Sequence, residues 1–195
     1  MSSFSPKAKG SAFERKVSQN LSLACSNMTR TDLFWRSSMS GGRYKKKNAR
    51  VAAGDISALD PIGYPFVRIF VVECKCYRMV TFDAALYEKG PSFDMTKIWV
   101  ETRKLAKKLK RLPMLVAKQD FRPPIVGVDL GGMRVLRRCW KGGMKSGVVR
   151  LVYPQISLSL MLFRDFLLGL DYKKMKKVSK EFPDVVPGNR RFALD

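Results

Sequence analysis

Residues 66–76, FVRIFVVECKC, constrain this chain more than any other stretch. The run is almost continuously apolar, follows the turn signals Asp60-Pro61 and Gly63-Tyr64-Pro65, and carries one acid and one base, Glu73 and Lys75, near its end. A segment this rich in Val, Ile and Phe predicts a strand buried on both faces. Side chains alternate along a strand, so Glu73 and Lys75 share one face and Cys74 takes the other. A carboxylate and an ammonium on a buried element are each costly unless paired or put to use. On this stretch alone two readings stay open: a structural ion pair, or a pair of reactive groups.

Charge bears on the choice. The 195 residues hold 38 Lys and Arg against 16 Asp and Glu, a formal net charge of +22. Such an excess predicts a polyanionic partner, nucleic acid first and an anionic membrane surface second. The most apolar segment, ISLSLMLFRDFLLGL, is short for a bilayer and is interrupted by Arg164 and Asp165, so no membrane span is expected. MSSFSPKAKGS lacks the apolar centre of a signal peptide, which places the chain in a cytosol-like compartment. Cys25, Cys74, Cys76 and Cys139 have no C-x-x-C spacing and read as small buried thiols. The chain contains no histidine, which excludes Ser-His and Cys-His pairs and histidine bases. Carboxylates, lysines and bound metal ions remain.

Upstream, residues 11–25 place Phe13, Val17, Leu21 and Ala24 at helical spacing, and Ser11-x-x-Glu14 matches a capping box. Residues 31–38 predict a strand, followed by Ser40-Gly41-Gly42 and the basic run RYKKKNAR. That run, with Arg43, Lys45, Lys46 and Lys47, reads as a solvated loop that also touches phosphate, because it leads into Gly54-Asp55 and a short strand in DISALD. If this strand forms a hairpin with the central one, Asp55 and Glu73 meet at one sheet edge. Two carboxylates and a backbone carbonyl, that of Cys74, can hold Mg²⁺ through oxygen and leave positions for water and phosphate. A neighbouring lysine can orient or deprotonate the attacking water.

Downstream, residues 97–112 predict a helix with Ile98, Leu105, Leu109 and Leu112 inward. Arg103, Lys104, Lys107, Lys108, Lys110 and Arg111 occupy the other faces as phosphate contacts. Asp83, Glu88 and Asp94 read as loop acids. MRVLRRCWK predicts a short strand that offers Arg134, Arg137 and Arg138 to DNA, and VVRLVYP another strand. Residues 155–170 predict an apolar helix, and residues 171–195 a polar, basic tail.

Several of these residues together resemble the PD-(D/E)XK nuclease superfamily, and within it the archaeal-type Holliday junction resolvases. GSAFERKVSQNL is similar to the opening helix of that family, with Glu14 and Arg15 at the site. WRSSMSGG resembles its Arg-Ser-rich segment, which implies DNA-contacting or site-supporting roles for Arg36, Ser37, Ser38 and Ser40. Gly54-Asp55 stands where the family has its metal-binding Asp, Glu73-Cys74-Lys75 is the Glu-x-Lys, and a "Pro-apolar-apolar" strand ends in Lys118. The resemblance covers roughly residues 8–128. It departs in an insertion around Arg43, Lys45, Lys46 and Lys47, in Gly54 where the superfamily has Pro, and in a longer turn at residues 62–65.

The resemblance implies an α/β fold, a mixed central β-sheet flanked by helices with a restriction-endonuclease-like core. Residues 1–130 would form that core, and residues 131–195 a C-terminal extension packed on it. It implies a Mg²⁺-dependent DNA endonuclease, with Mn²⁺ able to substitute. Asp55 and Glu73 would be ligands, Lys75 the water-handling group and Glu14 an outer ligand or orienting acid. The substrate would be a four-way junction and the active form a homodimer, in cytoplasm, either nucleoid-associated or within a virus-infected host. Two alternatives stand beside this: a nuclease of the same fold acting on single-stranded, flap or duplex-end DNA, and a non-catalytic basic protein that binds nucleic acid.

Overall fold

The computed structural model describes residues 5–37, 53–78, 95–142, 147–153 and 156–183. Its strands β3 (Phe70–Tyr77), β4 (Leu112–Gln119), β5 (Ile125–Val128), β6 (Val149–Tyr153) and β7 (Ile156–Leu162) form one sheet in the order β3-β4-β5-β7-β6. β3 and β4 run parallel and every other neighbouring pair antiparallel, so the sheet is mixed. The earlier strands β1 (Phe34–Arg36) and β2 (Ile56–Ala58) form a separate antiparallel pair.

Parallel neighbours need a long crossover, which here includes the helix α3 (Met95–Lys108). α3 packs on one sheet face, where Ala106 meets Val71 and Trp99 meets Leu115, Ala117 and Leu158. The other face is covered by α1 (Pro6–Cys25), α2 (Tyr64–Ile69), α4 (Leu130–Arg138), α5 (Phe163–Gly169) and α6 (Tyr172–Ser179). Their buried side chains, among them Val17, Leu21, Phe66, Leu136, Phe166 and Met175, close over Val72, Cys74, Val116 and Val126. The strands β6 and β7, which lie beyond residue 130, extend the sheet from β5. Cys25, Cys74 and Cys139 are buried and no cysteine is disulfide-bonded. Among the described residues no helix is long and apolar enough to cross a membrane.

Several elements differ from the sequence expectation. The apolar run at residues 66–76 is not one strand: its first part belongs to α2, and β3 begins at Phe70. Pro65 in the first turn of α2 has a backbone torsion preset for a helix, and a 3₁₀ turn at Pro61–Gly63, capped by Asp60, feeds into it. DISALD does not form a hairpin with β3. β2 pairs with β1, and a parallel bridge from Gly54 to Val72 joins this segment to β3.

The helix α1 begins at Pro6 under a Ser5 cap, so Glu14 lies in mid-helix and the predicted capping box at Ser11 does not form the helix start. α3 is rotated from its predicted stripe: Met95, Trp99, Thr102 and Ala106 are buried while Leu105 is exposed. The hydroxyl of Thr102 donates to the Ile98 carbonyl, which lets a polar residue face the sheet. Arg111, expected on the surface, is buried.

Of MRVLRRCWK, the part up to Arg138 is helical because Asp129 caps α4 through the Gly132 N–H, and Gly132 is seated where a Cβ would lie 2.7 Å from that of Val128. Residues 155–170 split into strand β7 and helix α5, with the Leu158 and Leu160 side of β7 turned toward the α3 layer and Met161 toward the other. The tail contains α6, capped by Asp171 through the Lys174 N–H.

Candidate active site

β3 is the edge strand of the five-stranded sheet, and its open side is where the acids gather. Glu73 and Lys75 stand on the face shared with Val71, the α3 side, and their side chains form an ion pair with each other. Both are about three-quarters buried, at 24% and 26% side-chain exposure, so the pair remains within reach of solvent.

Asp55 is fixed more rigidly. Its N–H donates to the Val72 carbonyl at 2.7 Å, and its carbonyl accepts from the Ser37 N–H at 2.8 Å. Its Oδ2 accepts from the Cys74 N–H at 2.8 Å and lies 3.9 Å from Lys75 Nζ. The backbone can come this close only because residue 54 is glycine. Gly54 has φ +82°, and a Cβ there would overlap the Val72 carbonyl oxygen. The glycine noted as a departure from the superfamily's proline therefore brings Asp55 onto β3.

Glu14 enters from α1. Ser22, two turns further on, accepts from the Phe34 N–H at 3.1 Å, which ties β1 to the helix. Two residues later on β1, Arg36 Nε stands 3.6 Å from Glu14 Oε2. Sequence reasoning did not find the tether at Ser22. Its only signal is a run of serines at helical spacing, Ser18 and Ser22, whose hydroxyls donate to carbonyls four residues back.

The electrostatics follow from this crowding. Burial pushes the Asp55 carboxyl up to about 7, aided by the charge on Glu73 and opposed by the Cys74 N–H and Lys75. Burial also raises the carboxyl of Glu14, with Glu73 adding to it and Arg36 and Lys75 pulling it back. At Lys75 burial acts to lower the ammonium, but Glu73 and Asp55 outweigh it and hold the group above its ordinary value. The site thus has an excess of carboxylate that its own lysine compensates only in part.

The structure brings Glu14, Asp55, Glu73 and Lys75 into one neighbourhood, with Arg36 beside Glu14 and Arg15 exposed next to it. The hydroxyl of Ser37 is buried and has no hydrogen-bond partner among the described residues. On α3, Arg103, Lys104, Lys107 and Lys108 are exposed, and Lys104 pairs with Glu101 at 3.1 Å. Lys118 sits in register with Cys76, on the sheet face opposite Lys75 and toward the α1 layer. Ser38, Ser40, Arg43, Lys45, Lys46 and Lys47, and the loop acids Asp83, Glu88 and Asp94, lie outside the described residues.

Residues 5–135 match the family described as "Phage putative PDDEXK endonuclease". The chain belongs to this family. It is a nuclease of the PD-(D/E)XK superfamily, a hydrolase by reaction class, and its mixed five-stranded sheet flanked by helices is the restriction-endonuclease-like fold. No curated protein and no solved structure matches the chain.

The donor set is one that would suit a hard divalent cation. Asp55 and Glu73 supply carboxylate oxygens, and Lys75 partly neutralises both. Among the described residues no three Asp, Glu or Cys side chains form a metal-enclosing cluster. Two carboxylates would have to be completed by a backbone carbonyl, water and phosphate. The Cys74 carbonyl qualifies by strand geometry: its own N–H points to Asp55, and the two backbone groups of one strand residue point to the same edge.

Proposed function

We propose that this PD-(D/E)XK nuclease is a Mg²⁺-dependent DNA endonuclease selective for branched structures, with the four-way junction as its preferred substrate. The observation that carries the chemistry is the placement of Asp55, Glu73 and Lys75 on the open edge of β3, with Asp55 held by three hydrogen bonds.

Asp55, Glu73 and the Cys74 carbonyl would hold the metal, with Glu14 as an outer ligand or orienting acid. The bound cation supplies a water of lowered pKa and neutralises charge on the phosphate. The chain's own residues do the rest. Lys75, kept as an ammonium by its two carboxylate neighbours, donates a hydrogen bond to the attacking water or to a non-bridging phosphate oxygen. Arg36 holds the Glu14 carboxylate in place. Water attacks phosphorus, one bridging P–O bond breaks, and the products are a phosphate monoester and a hydroxyl. The exposed cations of α3 lie on the same side of the sheet as Glu73 and Lys75, where they can meet the DNA backbone.

The branched substrate is supported by the resemblance to junction resolvases and by the net charge of +22. Paired cuts across a two-fold junction favour a homodimer as the acting species. Mn²⁺ is expected to substitute for Mg²⁺, and the working compartment to be cytoplasmic. A panel of four-way junction, flap, single strand and linear duplex, cut at one fixed salt concentration in Mg²⁺, tests the substrate. The junction is expected to be cleaved at least about ten times faster than linear duplex, a transition-state preference of about 1.4 kcal/mol. Equal rates on junction, flap and duplex would overturn the junction assignment and leave the nuclease standing.

A further inference from the structure

The candidate site does not account for a second concentration of positive charge. The helices α4 and α6 pack against each other and are linked by paired contacts of the Arg138 guanidinium with the Glu181 carboxylate. Each buries one side and exposes cations on the other. On α6, Met175 and Val178 are buried while Lys173, Lys176, Lys177 and Lys180 are exposed at i, i+3, i+4 and i+7. On α4, Met133, Val135 and Leu136 are buried while Arg134 and Arg137 are exposed.

An ordinary solvated helix face interleaves acids with bases, and these acids are already committed. Asp129 and Asp171 cap the two helices, and Glu181 is taken by Arg138. None of the six exposed cations has an ion-pair partner among the described residues.

The position of this surface separates it from the site. Gly131, in the first turn of α4, lies against Leu112, the register partner of Phe70. α6 packs on α2, the helix that leads into Phe70. Both helices therefore sit toward the start of β3, whereas Lys75 is five residues further along it, about 17 Å at strand spacing. The two helices also cover the sheet face opposite that of Glu73 and Lys75, so the sheet itself, as well as this distance, separates the surface from the site.

We propose that the α4–α6 face is a second, sequence-independent docking surface for the phosphate backbone of duplex DNA, engaging an arm outside the segment being cut. The proposal rests on DNA being the nuclease's substrate. The face would lengthen the footprint of the protein and strengthen binding to long arms, without touching the scissile phosphate. Lysines spaced along one helix side suit a line of phosphates, and they require no base contacts.

The test is a full-length Lys173→Gln, Lys176→Gln, Lys177→Gln variant. All three side chains are exposed and Gln keeps helix propensity, so its thermal transition should match that of the parent. Affinity for 12-bp and 40-bp duplexes is measured in EDTA across a salt series. The variant is expected to bind the 40-mer roughly tenfold more weakly, with the salt slope reduced by about 2 to 3, while 12-mer affinity is unchanged. Unchanged affinity and slope on the 40-mer overturn the proposal, as does an equal loss on both lengths, which would place these lysines on the cleaved segment. Sedimentation with phosphatidylserine vesicles that the variant loses, with 40-mer binding intact, overturns it in favour of a membrane surface. A parent that cuts no DNA in Mg²⁺ but shows the length-dependent loss defeats the nuclease substrate reading and leaves this surface standing.

Discussion

Replacing Asp55 with Asn is expected to abolish cleavage and to make the metal-free protein more stable. The amide oxygen keeps the hydrogen bond from the Cys74 N–H, so the local fold survives. What is lost is an anionic ligand, and a deficit of about 4 kcal/mol at the transition state corresponds to roughly a 10³-fold fall in rate. What is gained is relief from a buried, crowded carboxylate. Burial raises the folded-state value of Asp55 from 3.8 to about 7, so the folded protein binds its proton more tightly than the unfolded chain does.

The stability this group contributes is therefore fully present below 3.8 and lost as pH rises through about 7. The Asn variant has no such loss. In EDTA, its melting temperature should exceed that of the parent increasingly from pH 4 to pH 8. A gain of about 1 to 2 kcal/mol appears as roughly 2–8 °C in a chain of this length. Parallel melting curves across pH for both proteins would mean that the neighbours of Asp55 compensate its buried charge in full.

Gly54→Ala is expected to cost about 3 kcal/mol or more, a fall of roughly 6–12 °C in melting temperature, and to remove activity with it. The left-handed torsion disfavours any Cβ, and here the Cβ would also overlap the Val72 carbonyl, which accepts the Asp55 N–H. Relieving the overlap breaks that hydrogen bond and withdraws Asp55 from Glu73 and Lys75. Gly54→Pro, although it introduces the superfamily's usual residue, should fare no better, because proline fixes φ near −65° against the +82° found. Thermal denaturation and cleavage assays of both variants check this. A stable, active Gly54→Pro protein would show that the backbone here tolerates a different path.

The pairing of Glu73 with Lys75 was legible in the sequence because the two are close in the chain and chemically distinctive. Glu73 and Lys75 alternate on a strand, and the absence of histidine leaves few other chemistries. How Asp55 reaches them was not legible. A hairpin and a parallel bridge both end with Asp55 beside β3, and only the three-dimensional partner of DISALD, which is β1, separates them.

Residues 66–69 differ from the expected strand because a buried helix turn and a buried strand share one composition, and Pro65, a turn signal in the sequence, starts the helix. In α4 a helix stands where the residues predict a strand, because Asp129 caps it just before the glycine pair. The strand β7 did carry its own signal, the alternation in ISLSLML, but the apolar helix that follows obscured it. The rotation of α3 puts Ala106 and Thr102 against the sheet and leaves Leu105 exposed, which no apolar count reveals.

The proposed role of Glu73 and Lys75 as reactive groups, and not as a structural pair, is open to direct test. The most direct measurement compares parent, Glu73→Ala and Lys75→Ala proteins on one labelled four-way junction, recording binding in EDTA and cleavage after adding Mg²⁺. All three are predicted to bind within a few-fold of one another, with only the parent cutting at a measurable rate. Cleavage by either variant at the rate of the parent, or no cleavage by the parent with any divalent metal while binding persists, would contradict the account.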